Sequence, residues 1–226
     1  LLEFVPANKC DCGFAFDGDA DRCLAVDENG DLIDGDQLIA IASKAYKEDN
    51  KLANDTAVVT VMSNLGFFHF AKANGIKVVA ANVGDRYVLE KMLESGHIIG
   101  GEQSGHIIFL EHATTGDGEL SAAKILEILC KSGKKMSELA SIMEKFPQVM
   151  INVKISAKDR EVWKNDFVIT GLIEKYEETL GDSGRILVRE SGTEPLIRVM
   201  IEGKDFKQIN QMAMKIADTI KNRVGR

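Results

Sequence analysis

The sequence predicts an α/β protein: a mixed, mostly parallel sheet with helices on both faces, followed by a small α+β C-terminal domain. Three observations carry this. From residue 57 to 131, short apolar runs such as Ala57-Val58-Val59-Thr60-Val61-Met62 and Lys77-Val78-Val79-Ala80 alternate with stretches of helical spacing. Gly75 and Gly96 close two of those helices, as the left-handed terminal position favours. Pro147 is the only proline between Pro6 and Pro195, and past it the chain reads as half-exposed strands and two helices. The segments are 1–35, the C-terminal end of a truncated α/β domain; 36–147, an α/β domain; and 148–226, an α+β domain.

The first segment enters through a short helix-like tail and an apolar strand, Gly13 to Phe16, that ends in Asp17. Cys23 to Val26 and Leu32-Ile33 are strands around the turn Glu28-Asn29-Gly30, a hairpin signal. So short a piece cannot bury its own core, so 13–34 is expected to lack sheet partners and to be the least ordered part. Asp36 can cap a helix with Leu38, Ile39, Ala42, Ala45 and Tyr46 on its apolar face. Asn64 to Asn74 and Asp85 to Ser95 read as helices, and His97-Ile98-Ile99 and Ile107-Ile108-Phe109 as strands. Helices follow over Asp117 to Lys131 and Met136 to Lys145. In the last segment Val149 to Ile155 is a strand, Phe167 to Leu180 a helix, and Arg185 to Val188 and Leu196 to Ile201 strands. Asp205 opens a final helix with Gln208 as capping-box partner; Phe206, Ile209, Met212, Ile216 and Ile220 form its apolar face.

Composition sets the class. In 226 residues, 45% are hydrophobic and 28% charged, which excludes a disordered or collagen-like chain. Lys plus Arg is 28 against 35 for Asp plus Glu, a net charge of −7 that argues against a general nucleic-acid binder. No apolar run is long enough to span a membrane, and the first residues lack the pattern of a signal peptide. Cys10, Cys12, Cys23 and Cys130 have no zinc-site spacing, so reduced thiols and a cytoplasmic location are expected.

Three loops carry chemistry. In Phe16-Asp17-Gly18-Asp19-Ala20-Asp21-Arg22, carboxylates recur at every second position after an apolar strand. The small residues between them let the backbone curl so that all three face one point, where only a cation relieves their repulsion. An all-oxygen set suits Mg²⁺ or Ca²⁺. A solvated acidic turn is the plain alternative. A calcium loop would use Glu28 at the twelfth position, but Arg22 replaces the glycine at the sixth and the flanks are strands. A phosphatase with Asp17 as nucleophile and Asp19 as acid needs a second acidic pair, of which Gly84-Asp85-Arg86 offers half. In Gly100-Gly101-Glu102-Gln103-Ser104-Gly105-His106, glycines permit a tight turn, while Glu102, Ser104 and His106 could clamp sugar hydroxyls; an ordinary hairpin loop is the alternative. In Arg189-Glu190-Ser191-Gly192-Thr193-Glu194-Pro195, the N–H groups of Ser191, Gly192 and Thr193 can form an anion nest beside Arg189, within reach of Arg198.

Taken together and in this order, the loops resemble the α-D-phosphohexomutase family. Its metal loop reads DGDADR or DGDGDR, its sugar loop GE-x-SGH and its phosphate loop R-x-SGTEP, and all three occur here. The segments Val83-Gly84-Asp85-Arg86-Tyr87-Val88 and Thr114-Thr115-Gly116-Asp117-Gly118 look most like members that act on hexosamine phosphates.

The resemblance implies a four-domain enzyme of which this chain holds the end of the second domain and all of the third and fourth. The family's phosphoserine motif, in the first domain, does not occur in this chain, so the 226 residues alone are expected to be inactive. The implied reaction interconverts glucosamine 6-phosphate and glucosamine 1-phosphate through a bisphosphorylated sugar and feeds amino-sugar nucleotide and cell-wall synthesis. Phosphomannomutase or phosphoglucomutase activity is the alternative within the family, and a binding module without catalysis the alternative outside it. By resemblance, Asp17, Asp19 and Asp21 hold Mg²⁺ and Arg22 is the catalytic group that neutralises charge. Glu102, Ser104, His106, Asp85 and Arg86 bind the sugar. Arg189, Ser191, Gly192, Thr193 and Arg198 bind phosphate. Some relatives carry His at the position of Asp85, which leaves the general acid/base open. The implied partners are a hexosamine phosphate and the remaining domains of the same protein, without nucleic acid or membrane; a homodimer of the full-length protein is allowed. His69, His97 and His112 are expected to be structural or exposed, and Asp117 a helix cap.

Overall fold

A computed structural model describes residues 1–156, 162–191 and 194–224. Contacts divide the chain into two compact units, Leu1–Lys145 and Phe146–Arg226, so the boundary falls beside Pro147.

The first unit opens with α1 (Phe4–Ala7) and an antiparallel sheet of order β1-β2-β3: β1 (Cys12–Phe16), β2 (Cys23–Asp27) and β3 (Leu32–Ile33). Then come α2 (Gly35–Glu48), β4 (Thr56–Thr60), α3 (Leu65–Ala73), β5 (Lys77–Ala81), α4 (Asp85–Ser95), β6 (Ile99–Gly101), β7 (Ile107–Phe109), α5 (Gly118–Ser132) and α6 (Met136–Ala140). Their sheet has the order β5-β4-β6-β7. β4 runs parallel to both β5 and β6, and β7 returns antiparallel to β6.

The buried β4 shows why helices cover both faces. Ala57 and Val59 point into one apolar cluster with Leu38 and Ile39 of α2, Phe67 of α3 and Ile125 of α5. Val58 points the other way, onto Val88 and Met92 of α4. Successive strand residues alternate faces, so a continuous apolar run requires a layer on each side. Asn64 Oδ1 accepts from Gly66 N at the start of α3, Asp117 Oδ1 from Leu120 N at the start of α5, and Gly96 ends α4 in the left-handed region.

Three expectations are corrected. The cap of α2 is Asp34, in a reciprocal capping box with Gln37. Asp36 sits instead in the first turn, fully buried, its Oδ2 accepting from Asn64 N at 2.7 Å. α6 stops at Ala140 and not at Lys145, because the chain then leaves the helical path to lay Glu144 O against Gly66, where a Cβ would collide with it. The 13–34 hairpin does have partners: Cys23, Ala25 and Ile33 belong to the main core, and Glu28 accepts from Ser137 N (3.2 Å) and Oγ (2.6 Å) in α6. Phe16, at the end of β1, is 44% exposed.

The second unit contains β8 (Gln148–Lys154), α7 (Phe167–Leu180), β9 (Gly184–Glu190), β10 (Leu196–Gly203) and α8 (Phe206–Val224). Its sheet, β8-β10-β9, is antiparallel throughout. Val153, Val199 and Ile201 pack with Ile169 of α7 and Ile209, Ile216 and Ile220 of α8. Asp205 Oδ1 accepts from Lys207 N and Gln208 N, so the last helix is capped where the sequence placed it. On the other face, the fully buried Glu202 is satisfied by Arg185 Nε (2.6 Å) and Gln148 Nε2 (3.1 Å).

Candidate functional site

Phe16 and Cys23 are the last cross-strand pair of β1 and β2, so residues 17–22 form the loop of a hairpin. The turn is tight: Ala20 takes a left-handed φ of 61°, its N–H bonds to Asp17 O, and Arg22 N bonds to Asp17 Oδ1 at 3.2 Å. As the spacing predicted, one carboxylate oxygen from each of Asp17, Asp19 and Asp21 lies within 4.8 Å of the others. Asp21 Oδ1 is buried, has no hydrogen-bond partner among the described residues and lies 4.0 Å from Arg22 Nε. Burial raises the Asp21 carboxyl above its ordinary range, and the Asp17 and Asp19 charges add to the rise. A buried carboxylate oxygen without a hydrogen-bond donor, beside two more carboxylates, fits a hard cation. Glu28 is committed to Ser137, which takes the twelfth ligand from the calcium-loop reading, and Asp85 is outside the cluster, so the phosphatase reading does not gain its second acidic pair. Arg22 is exposed, with Nε 3.4 Å from Asp17 Oδ2.

The sugar-loop motif is joined to this loop by main chain. Arg22 and His106 form an antiparallel β-bridge, and Cys23 N donates to Gly105 O at 3.0 Å. Gly105 has φ +96°, and a Cβ there would run into Cys23 O. Within the loop, Glu102 N donates to His106 O and Gly105 N to Glu102 O. Glu102 Oε1 accepts from Gly84 N at 2.9 Å, which ties the loop to the start of α4. Ser104, Asp85 and Arg86 are exposed. Asp85 Oδ1 accepts from Arg86 N, while Arg86 Nε pairs with Glu90 at 2.8 Å.

His106, the last of the expected sugar ligands, is enclosed beside the metal loop. Its side chain is 4% exposed; Nε2 accepts from Gly116 N at 3.2 Å and stands 3.6 Å from Asp21 Oδ2. The Thr114-to-Gly118 turn thus braces the site: Gly118 N donates to Ala20 O, and a Cβ on Gly118 would fall 2.6 Å from Arg22 O. Gly116 and Gly118 escaped the sequence reading as site residues; their signal was two glycines flanking the cap Asp117.

In the second unit, the phosphate-loop motif joins β9 to β10. Ser191 is buried, its N–H bonds to Leu196 O, and its Oγ accepts from Glu194 N at 3.2 Å. Gly192 and Thr193 lie outside the described residues. Arg189 and Arg198 are direct cross-strand partners. Both Nε atoms are buried without a hydrogen-bond partner among the described residues. Arg198 Nη2 lies 3.8 Å from Glu194 Oε2, and two adjacent guanidinium groups with Nε donors left over have the chemistry to hold an anion.

The model of the phosphoglucomutase/phosphomannomutase α/β/α domain III matches residues 34–146, and that of the C-terminal domain of the same family matches 150–219. A phosphoglucosamine mutase of Acetivibrio thermocellus is 55% identical over 225 residues, covering 100% of this chain and 50% of the relative. One from Clostridium acetobutylicum is 52% identical, covering 99% of this chain and 50% of the relative. The chain thus spans about half the length of the curated relatives it matches. Among solved structures, a phosphoglucomutase/phosphomannomutase family protein of Burkholderia thailandensis has TM-score 0.80 at 21% identity, covering 98% of this chain and 48% of that one. The N-acetylphosphoglucosamine mutase of Aspergillus fumigatus, solved with GlcNAc-6P and magnesium, has TM-score 0.72 at 20% identity, covering 98% and 52%. With both domain models matched in order across the chain, it belongs to the phosphoglucomutase/phosphomannomutase family, the α-D-phosphohexomutases.

Proposed function

We propose that this chain supplies the metal, sugar and phosphate loops of a phosphohexomutase that interconverts glucosamine 6-phosphate and glucosamine 1-phosphate. The observation that carries the reading is the Asp17, Asp19 and Asp21 cluster with its buried Asp21 Oδ1, bridged by main chain to the Glu102 loop. The names of the half-matched relatives supply the amino sugar.

Phosphoryl transfer is mostly positioning and neutralisation of charge. Mg²⁺ held by Asp17, Asp19 and Asp21 would offset the charge on the transferring phosphoryl group. Arg22, exposed at the loop's end, adds a cation at the same place. Glu102, anchored through Oε1 by Gly84, has Oε2 left to accept from adjacent sugar hydroxyls, with Ser104 exposed beside it. Vicinal 3- and 4-hydroxyls look alike from either end of the ring, so one clamp serves both orientations of the substrate. Asp85 and Arg86, next to Gly84, border the same clamp. Arg189, Ser191 and Arg198, with Gly192 and Thr193, hold the phosphate that is not reacting. The donor and acceptor of the phosphoryl group belongs to the half of the relatives that this chain does not span. The reading places the protein in the cytoplasm, acting on a soluble sugar phosphate; no helix among the described residues is long and apolar enough to cross a membrane.

The test joins the N-terminal half of the Acetivibrio thermocellus relative to this chain and follows glucosamine 6-phosphate conversion with Mg²⁺ and a sugar bisphosphate primer. Turnover that disappears with Asp19→Ala, and is slower on glucose and mannose phosphates, is expected. Equal turnover with Asp19→Ala refutes the metal assignment, and a preference for glucose or mannose phosphate refutes the substrate assignment.

A further inference from the structure

The geometry points to Lys164 as a positioning residue of the phosphate loop: it holds and neutralises Glu190, the acidic residue between Arg189 and Ser191, so that the loop can take an anion. This rests on the phosphate reading above. Glu190 pairs across the sheet with Ile197, which is fully buried in the apolar cluster that also contains Trp163, Ile169 of α7 and Ile209 of α8. Arg189, one residue earlier, pairs with Arg198. Successive strand side chains take opposite faces, so the Glu190 carboxylate leaves on the helix-covered face and the two guanidinium groups on the other. On the helix-covered face a single turn, Val162–Asn165, meets the carboxylate. Trp163 Nε1 donates to Glu190 Oε1 at 3.1 Å, and Lys164 Nζ stands 2.9 Å from the same oxygen. The indole is buried in the core, which makes its N–H a fixed donor, and Lys164 Nζ lies 6.0 Å from its ring centroid.

The charge arithmetic shows why such a partner is needed. A motif read as a phosphate site carries two carboxylates of its own, Glu190 and Glu194. Glu194 is exposed and stands on the arginine side, its Oε2 3.8 Å from Arg198 Nη2, so an incoming anion can displace it into water. Glu190 has no such exit. It is the main-chain neighbour of both Arg189 and Ser191, and its side chain is mostly enclosed, so its charge is screened less than that of an exposed group. Left uncompensated, that charge would oppose any anion brought to Arg189. Lys164 cancels it from the far face without entering the anion site, and the Trp163 N–H keeps the carboxylate where Lys164 reaches it. Residues that fix and balance a ligand group from behind are part of a site's preorganisation.

The experiment measures the affinity of the 226-residue chain for inorganic phosphate and for glucosamine 6-phosphate by calorimetry, with thermal melts to confirm folding. Lys164→Met is expected to lower both affinities about 3- to 10-fold, the size of one partly screened charge near an anion. Lys164→Arg, which keeps the cation, and the double variant Lys164→Met/Glu190→Gln, which removes both charges, are expected to stay within about twofold of wild type. Lys204→Met, which removes a lysine just past the other end of β10, controls for net charge and is expected to leave both affinities inside the same margin. Wild-type affinity in Lys164→Met overturns the inference. A loss that Glu190→Gln fails to restore overturns it too, since Lys164 would then act on the anion directly, and so does an equal loss in Lys204→Met. A wild-type chain that binds neither probe overturns the phosphate-site reading itself, a different outcome from intact binding in the variant.

Discussion

Arg189 of β9 and Arg198 of β10 stand directly opposite one another in the second unit's sheet. Burial lowers the Arg189 guanidinium below its ordinary value, and the Arg198 charge lowers it further. Like charges placed cross-strand are unfavourable, and an anion between them converts that cost into affinity. Arg189→Met should therefore raise the melting temperature in anion-free buffer and lose most of the rise that added phosphate or hexose phosphate gives the wild type. A charge-assisted contact contributes about 1.5–3 kcal/mol, so hexose phosphate affinity should drop about 10- to 100-fold. Thermal melts and calorimetry read both effects; unchanged affinity in Arg189→Met would falsify the phosphate-site assignment.

Asp19 is exposed and offers one oxygen to the carboxylate cluster. Asp19→Asn removes one of three mutually repelling charges at little structural cost. The Mg²⁺-dependent amide shifts of residues 16–22 should shrink, while metal-free stability stays level or rises slightly, by less than about 1 kcal/mol. Shifts as large as in wild type would remove Asp19 from the ligand set.

Gly105 combines a left-handed φ of +96° with close approach to the Cys23 backbone. Gly105→Ala should cost more than the roughly 1–3 kcal/mol of a strained backbone position, because the clash separates the two loops as well. Denaturant unfolding measures the loss. A change under about 0.5 kcal/mol would mean the loops are not locked together at this point.

Burial pushes the Cys23 thiol up to about 12. Such a thiol is ionised in about one molecule in 10⁴ near pH 8, and the thiolate is the reactive form. Cys130 is exposed. Iodoacetamide at that pH should label Cys130 in the folded chain and reach Cys23 only after unfolding, as mass spectrometry of tryptic peptides would show. Native labelling of Cys23 would mean that β2 opens readily.

Much of the fold was legible because its signals are local. The apolar run at 57–62 reads as a strand covered on both faces, and β4 takes it up to Thr60, while Gly75, Gly96, Asp117 and Asp205 mark helix ends by their own backbone and side-chain preferences. The α2 cap was misplaced because Asp34 and Asp36 are equally good capping residues by type. Gln37 three residues after Asp34 is the local signal that separates them, and the distant Asn64 N–H is what occupies Asp36 instead. The packing of residues 13–34 was misjudged for a related reason. β2 finds its core in helices α5 and α6, whose approach no short stretch of sequence announces.

The sequence by itself determined the chemistry of each loop: three carboxylates two positions apart, a glutamate between glycines, an arginine ahead of Ser-Gly-Thr. Residue type and spacing dictate which ligands each can hold, and those depend on a few neighbouring bonds. Tertiary structure alone decided how the loops of the first unit share their parts. It turned His106 inward against Gly116 and Asp21, spent Glu102 Oε1 on Gly84, and paired Arg22 with a residue more than eighty positions away. Those outcomes follow from the Arg22–His106 bridge and from the start of α5 lying against the metal loop, and a hydrogen bond between distant segments has no local signature until the chain has folded.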